Sequence, residues 1–300
     1  MADRRLQVFH TVARLLSFTK AAEALHMTQP AVTFQIRQLE EQFNTRLFDR
    51  THNRISLTEA GRAVYRYADQ IFVLYREMEN AVREITGEIA GSLAIGASTT
   101  IAEYMLPALL GDFKHHHPDV HIQLKVSNTE GIVSMVEQNT VDLGVVEGPV
   151  GNRNLAVEIC RMDQLVAIVP PHHPLAGEAS VTPARLLEYP YVDREEGSGT
   201  REVVEQYLRE QGIDPSGVRA VLELGNPEAI KGAVEAGMGV AIISRATLQK
   251  ELALGTLAAI PLDPPIERPF SFVHQKQKFR HRTIEELLEF ARQYCETHAA

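Results

Sequence analysis

Two runs of hydroxyl side chains carry the most chemistry in this 300-residue chain. The first is Ser98-Thr99-Thr100, which follows Gly96-Ala97 out of an apolar segment and opens a helical pattern. The second lies within Glu196-Gly197-Ser198-Gly199-Thr200-Arg201, again at the opening of a helix. Hydroxyls at a helix start sit beside backbone N–H groups that lack intrahelical acceptors, where the helix dipole is positive, so each run suits an anion. A capping role accounts for one hydroxyl of the first run, and three in a row exceed it. Two such ends facing across a cleft would grip a small oxyanion or carboxylate at the carboxyl ends of parallel strands. Asn226 opens another helix close by, and Gly148 ends an apolar strand at the same level. Glu147 reads as a hinge or surface acid, since it would repel an anion unless paired.

A third polar set lies near the N-terminus. Thr28 suits an N-cap, and Pro30 falls in the first turn of the helix that follows, where a missing N–H is harmless. A shorter helix precedes it, capped by Ser17 or Thr19 and closed at His26-Met27. Helix, tight turn and second helix can place the second helix in a major groove, with its N-terminal residues at the base edges. Those residues are Thr28, Gln29, Pro30, Thr33, Phe34 and Arg37. Gln29 can bond bidentately to adenine, Thr33 can donate to a base or phosphate, Phe34 can touch a thymine methyl, and Arg37 meets phosphate. Residues 46–48 and 54–57 flank 51–53 as strand, turn and strand, where Arg50 or Arg54 would contact phosphate or enter the minor groove.

The positioning elements follow from periodicity. Leu6, Phe9, Val12, Ala13 and Leu16 mark a first helix, and Val32, Ile36, Leu39 and Phe43 one face of the third. After Thr58, a cap, Val64, Tyr67, Ile71, Leu74, Met78, Ala81 and Ile85 alternate in steps of three and four. That a/d seam predicts a long helix paired with a second copy. It stops at Thr86-Gly87 and Ala90-Gly91, a linker. From Leu93 strands and helices alternate. Strands are expected at 93–96, 120–126 and 142–147, with helices at 101–114 and 132–138. A second set has strands at 164–169, 218–224 and 240–243, with helices at 200–211 and 227–236. A strand at 270–274 and a helix at 282–294 close the chain. This is parallel α/β grammar in two lobes, with Pro170-Pro171 and residues 261–269 as the expected crossings.

Composition narrows the function classes. The chain is 44% hydrophobic and 23% charged, as expected of a globular protein, with net charge −9. Residues 1–60 carry eight Lys/Arg against six Asp/Glu, whereas residues 91–300 carry eighteen against twenty-eight. A polyanion would therefore meet the N-terminal part. No secretory signal or membrane span is expected, and two cysteines far apart, Cys160 and Cys295, suggest free thiols in the cytoplasm. His115-His116-His117 point in different directions on a helix end, so no metal site is expected. Ser198 lacks the five-residue nucleophile elbow and a placed His and acid, so no catalytic residue or cofactor is expected.

The stretch from Ser17 to Glu40, SFTKAAEALHMTQPAVTFQIRQLE, resembles the helix-turn-helix signature of LysR-type transcriptional regulators. Leu47-Phe48-Asp49-Arg50 and Leu57-Thr58-Glu59-Ala60-Gly61 are similar to that family's wing and linker entry. The resemblance implies a winged helix-turn-helix over residues 1–58, a linker or dimerisation helix over 59–89, and an effector-binding domain over 90–300. That domain would be two-lobed α/β, like periplasmic binding proteins, with lobe I at about 90–162 and 266–300 and lobe II at about 163–265. By matching position, Gln29, Pro30 and Thr33 fall where the family reads bases, and Arg54 where a wing residue enters the minor groove. Phe34 departs from the polar or basic residue usual there. Ser98, Thr100, Thr129, Ser198 and Thr200 fall at or near the family's effector pocket. Ser-Thr-Thr is similar to the sulfur-metabolism regulators of the family.

The expected function is a cytoplasmic, effector-controlled regulator, by family habit an activator, and not an enzyme. Its partners would be a promoter inverted repeat in double-stranded DNA, a small anion (a sulfur oxyanion or carboxylate), RNA polymerase, and itself as dimer or tetramer. The alternatives are a small-anion-binding protein or an enzyme of the α/β part with no DNA-reading role.

Overall fold

The computed structural model describes residues 3–51, 54–85, 91–276 and 282–297. The chain divides into two compact units, Met1–Thr86 and Gly87–Ala300, taken separately below.

In the first unit, α1 (Arg4–Leu15), α2 (Phe18–Ala24) and α3 (Gln29–Phe43) pack around Phe9, Val12, Ala21, Val32, Ile36 and Leu39. Ser17 Oγ accepts from Lys20 N at 3.2 Å and so caps α2, while Thr19 lies inside that helix. Thr28 Oγ1 accepts from Ala31 N at 3.4 Å and caps α3. An antiparallel hairpin, β1 (Phe48–Thr51) and β2 (Arg54–Leu57), forms the wing. Phe48 inserts between the Phe9 and Phe18 rings, at 5.3 and 5.6 Å. Glu40 fastens the wing to α3 by accepting from Leu47 N at 2.8 Å. Thr58 caps α4 (Glu59–Ile85), accepting from Gly61 N at 2.9 Å. Gly61 is required at this joint, because a Cβ there would lie 2.0 Å from the Leu47 carbonyl oxygen. Leu16 and Phe43, expected on buried faces, are 50% and 46% exposed. The chain leaves helical geometry at these two places, with Leu16 and Asn44 in left-handed conformations.

The second unit is built on one six-stranded sheet. Its strands are β3 (Gly91–Ser98), β4 (Val120–Ser127), β5 (Leu143–Glu147), β6 (Leu155–Val169), β9 (Ala241–Ser244) and β10 (Ala258–Gln275), in the order β4-β3-β5-β10-β6-β9. β3 is parallel to β4 and β5, whereas β10 runs antiparallel to β5 and β6. In lobe I, α5 (Thr99–Tyr104), α6 (Leu106–His116) and α12 (Arg282–Thr297) cover a core that includes Ile95, Leu109, Phe113, Phe272 and Leu287. α7 (Thr129–Glu137) packs with β5 around Ile132 and Val146. In lobe II a short parallel pair, β7 (Tyr191–Arg194) and β8 (Ala220–Leu224), joins α8 (Pro183–Leu186), α9 (Gly199–Glu210), α10 (Pro227–Glu235) and α11 (Gln249–Leu254). Leu165, Val204, Tyr207, Ile242 and Ile260 are in its core.

Several expectations are corrected. The helix expected over 101–114 is two helices, because Pro107 falls in the first turn of α6 and supplies no N–H to continue α5. The first crossing between lobes lies within β6 rather than at Pro170-Pro171. Cys160 contributes to the lobe I core and Leu165 to the lobe II core, on one unbroken strand. The second crossing lies within β10, among the expected residues. The cysteines are not free thiols. Cys160 on β6 and Cys295 on α12 form a disulfide with a Cα–Cα distance of 6.2 Å. Their separation of 135 residues concealed that α12 packs directly on β6. Among the described residues, no helix is long and apolar enough to cross a membrane.

Candidate functional site

α3 buries Val32, Ile36 and Leu39, which turns its opposite face outward. Thr28, Gln29, Pro30 and Arg37 are exposed, and Phe34 is 56% exposed. Thr33 is half-buried, and its Oγ1 is buried without a hydrogen-bond partner. Thr28, Gln29, Pro30, Phe34 and Arg37 are therefore not packed into the core, whereas the expected contact of the Thr33 hydroxyl with a base or phosphate is corrected, since that oxygen is turned inward. Arg50 lies on β1 opposite Ile55, and Arg54 on β2 opposite Thr51, but their side chains, like residues 52–53, lie outside what is described.

On α4, Tyr67, Ile71, Leu74 and Met78 of the seam are exposed, with Leu74 at 62%. Ala81 and Ile85 of the seam, with the expected linker residues 86–90, lie outside the described side chains. A different face of α4 meets the head. Ala68 and Val73 are buried there, and Asp69 hydrogen-bonds His10, which stacks on Tyr65 at 5.0 Å. An apolar stripe left outside on a long helix is the arrangement of a coiled-coil half.

In the second unit the two hydroxyl runs converge on the end of β5. Ser98 ends β3, and its hydroxyl donates to the Glu147 carboxylate instead of capping α5. Thr129, which opens α7, donates from Oγ1 to the Glu147 carbonyl at 3.0 Å. Gly199 opens α9 against the same carbonyl, where a Cβ would come within 1.8 Å of the oxygen. Gly148, at φ +95°, turns the chain away from this junction. The expected cap role among 98–100 is corrected: Ser98 makes no cap bond, and Thr99 donates to Ser127 O on β4 at 3.5 Å, so it does not join Ser98. Asn226 spends its side-chain oxygen on capping α10, accepting from Ala229 N at 2.7 Å.

Glu147 is neither a hinge nor a surface acid, being 1% exposed beside an equally buried cation. Arg268 on β10 lies 3.9 Å from Glu147, donates from Nε to Asp163 at 3.0 Å and from Nη1 to Thr200 Oγ1 at 2.8 Å. Ser244 donates to the other Asp163 oxygen at 2.7 Å. Burial raises the Asp163 pKa above its ordinary value, against the pull of Arg268. Arg268 Nη2, Ser198 Oγ and Ser271 Oγ are buried with no hydrogen-bond partner among the described residues. Buried donors of this kind are normally satisfied, by protein, water or ligand. Thr129 and Ser198 line a groove of about 590 Å³, and Arg268 lines another of about 390 Å³.

Sequence reasoning found the hydroxyls because helix starts announce themselves. It missed Arg268, Asp163 and Ser244, which sit inside or at the end of strands. The available signal was a charged residue between apolar ones, as in Ile266-Glu267-Arg268-Pro269-Phe270.

Residues 4–62 match the model of the bacterial regulatory helix-turn-helix protein, lysR family, and residues 86–296 match that of the LysR substrate binding domain. The chain belongs to the LysR family of transcriptional regulators. This LysR regulator is 39% identical over 276 residues to the RuBisCO operon transcriptional regulator of Allochromatium vinosum, covering 92% of this chain and 90% of that protein. Its second unit resembles the CcmR regulatory domain of Synechocystis PCC6803 in complex with 2-PG, at 32% identity and TM-score 0.64, covering 69% of this chain and 98% of that one. Full-length CbnR complexed with its target DNA shares the fold, at 22% identity and TM-score 0.71, covering 98% and 99%. This LysR regulator is thus a DNA-binding transcriptional regulator with an effector-binding domain, not an enzyme.

Proposed function

We propose that this regulator controls an operon of the kind its relatives are named for, that of RuBisCO, in response to a small organic anion. The reading rests chiefly on one observation: buried Arg268, which donates to Thr200 in the first turn of α9 at 2.8 Å, keeps one nitrogen without a hydrogen-bond partner among the described residues, and so does the hydroxyl of Ser198 at the start of the same helix. A carboxylate or phosphate group on the ligand would satisfy Arg268 Nη2, with Ser98, Thr100, Thr129, Ser198 and Thr200 as the surrounding hydroxyls. The named relatives favour an organic anion over a bare sulfur oxyanion, and 2-PG in the Synechocystis domain supports that class. Ser98 and Thr100 are buried, so entry requires the lobes to part.

Thr28, Gln29, Pro30 and Phe34 meet base edges in a major groove, with Arg37, Arg50 and Arg54 on phosphate or in the minor groove. The exposed seam of α4 joins two copies, so that two heads read an inverted repeat, and a tetramer doubles this arrangement. The mild positive charge of one head makes such pairing necessary for tight binding. A cytoplasmic location and contact with RNA polymerase go with this role. Calorimetric titration of the full chain with 2-PG, paired with footprinting on the promoter beside its own gene, tests the reading. Effector heat together with an effector-dependent footprint supports it, and a footprint indifferent to every small anion tried removes the sensing half.

A further inference from the structure

A second groove, of about 640 Å³, lies beside the strands that cross between the lobes. It falls within the usual size of small-molecule sites. Arg161 and Asp163 of β6 form one wall, and Arg245 and Gln249, just beyond β9, form another. The Arg161 guanidinium lies over the Phe270 ring at 5.2 Å, which fixes its plane, and its Nε is buried without a hydrogen-bond partner. Neither Arg161 nor Arg245 is ion-paired among the described residues. Asp163 does not neutralise them, since its carboxylate is engaged by Arg268 and Ser244 at 3.0 and 2.7 Å. Glu267 stands on the rim, exposed, where solvent and salt weaken its field. Two apolar side chains, Met162 and Leu252, line the same groove and are half exposed.

We propose that this groove is a second ligand site, separate from the junction at Glu147, and that it takes a phosphate monoester carrying a small apolar body. Two guanidinium groups match the double charge and the paired oxygens of a phosphate monoester near neutral pH. The apolar body rests on Met162 and Leu252. The site is independent of the anion reading at Ser98, Thr100 and Ser198, since none of those residues lines it. Asp163 is shared, however, and it also holds Arg268. A phosphate seated against Arg161 thus lies one side chain from the residue that reaches Thr200.

The test is calorimetric titration of the full chain with phenyl phosphate, inorganic phosphate and benzoate, in wild type and in Arg245→Ala, Arg161→Lys and Thr100→Val variants. Arg245→Ala changes an exposed side chain and is expected to weaken phenyl phosphate binding about tenfold. Arg161→Lys keeps the charge, loses the planar fork, and should also weaken it. Thr100→Val should leave this binding unchanged. Inorganic phosphate and benzoate should bind more weakly than phenyl phosphate. The proposal is overturned if neither arginine variant alters phenyl phosphate binding, if binding vanishes only in Thr100→Val, or if wild type does not bind it at all. Benzoate or inorganic phosphate binding as well as phenyl phosphate would overturn the ligand class.

Discussion

Arg268 donates to Thr200 Oγ1 at 2.8 Å, which ties the first turn of α9 to the strand that returns from lobe II to lobe I. The guanidinium is thereby held in one plane, with Asp163 on Nε and Nη2 without a hydrogen-bond partner among the described residues. Arg268→Lys preserves charge but not the fork, so affinity for 2-PG should fall about tenfold or more, read by calorimetry. Arg268→Ala should in addition lower stability by about 3–5 kcal/mol, read by urea unfolding, because it leaves Asp163 and Glu147 buried without their cation.

Thr100 lies in the first turn of α5 and is buried. Thr100→Val replaces a hydroxyl by a methyl of similar size. The response to 2-PG should be lost, while affinity for operator DNA in its absence stays within about twofold of wild type, a change that small meaning well under 1 kcal/mol. Unchanged heat of 2-PG binding in this variant would place the effector elsewhere.

Leu74 is the middle of the exposed stripe on α4. A carboxylate at the centre of a helix pair is strongly disfavoured, so Leu74→Asp should yield monomers by sedimentation. It should also lose specific operator binding in a gel shift, since half the phosphate contacts disappear with the second copy. Dimers with undiminished operator affinity would show that the stripe has another purpose.

Gly199 packs against the Glu147 carbonyl, with no room for a methyl group. Gly199→Ala must push α9 away from β5. A loss of about 1–3 kcal/mol in urea unfolding is expected, together with weaker effector binding. Gly177→Ala, where a Cβ meets nothing within 4 Å, is the control and should be nearly neutral.

Asp163 has a pKa raised above its ordinary value of 3.8, chiefly by burial. The folded state therefore holds this proton more tightly than the unfolded chain does. The associated stability is fully present below the ordinary value and is lost as pH rises through the raised one. Relative to Asp163→Asn, the wild type should be favoured most in acid, with the advantage shrinking as pH rises above about 4. Thermal unfolding followed across pH in both proteins measures the slope.

The helices of the head were legible because caps and periodicity agree. Ser17, Thr28 and Thr58 each hydrogen-bond a nearby backbone N–H, and Val32, Ile36 and Leu39 face inward as their spacing requires. The hydroxyls at the starts of α5 and α9 were legible from their positions, although neither Ser98 nor Ser198 makes a cap bond. What periodicity does not encode is which strands become neighbours. β10 lies between β5 and β6, and this brings Arg268 to Asp163 across 105 residues. The disulfide escaped notice on the same ground, since Cys160 and Cys295 meet only once α12 folds back over β6. From sequence alone Glu147 reads as a hinge or surface acid, because an acid near an anion site looks repulsive until its counter-charge is placed.

The two lobes share a sheet rather than a pair of loops. β6 and β10 stay hydrogen-bonded from residues 155 to 169 and from 258 to 275, with interruptions only near Pro261/Ile266 and Phe270/Ser271. Opening the lobes must then flex a double-stranded ribbon. Any relative motion of the lobes therefore passes through the paired backbone of β6 and β10.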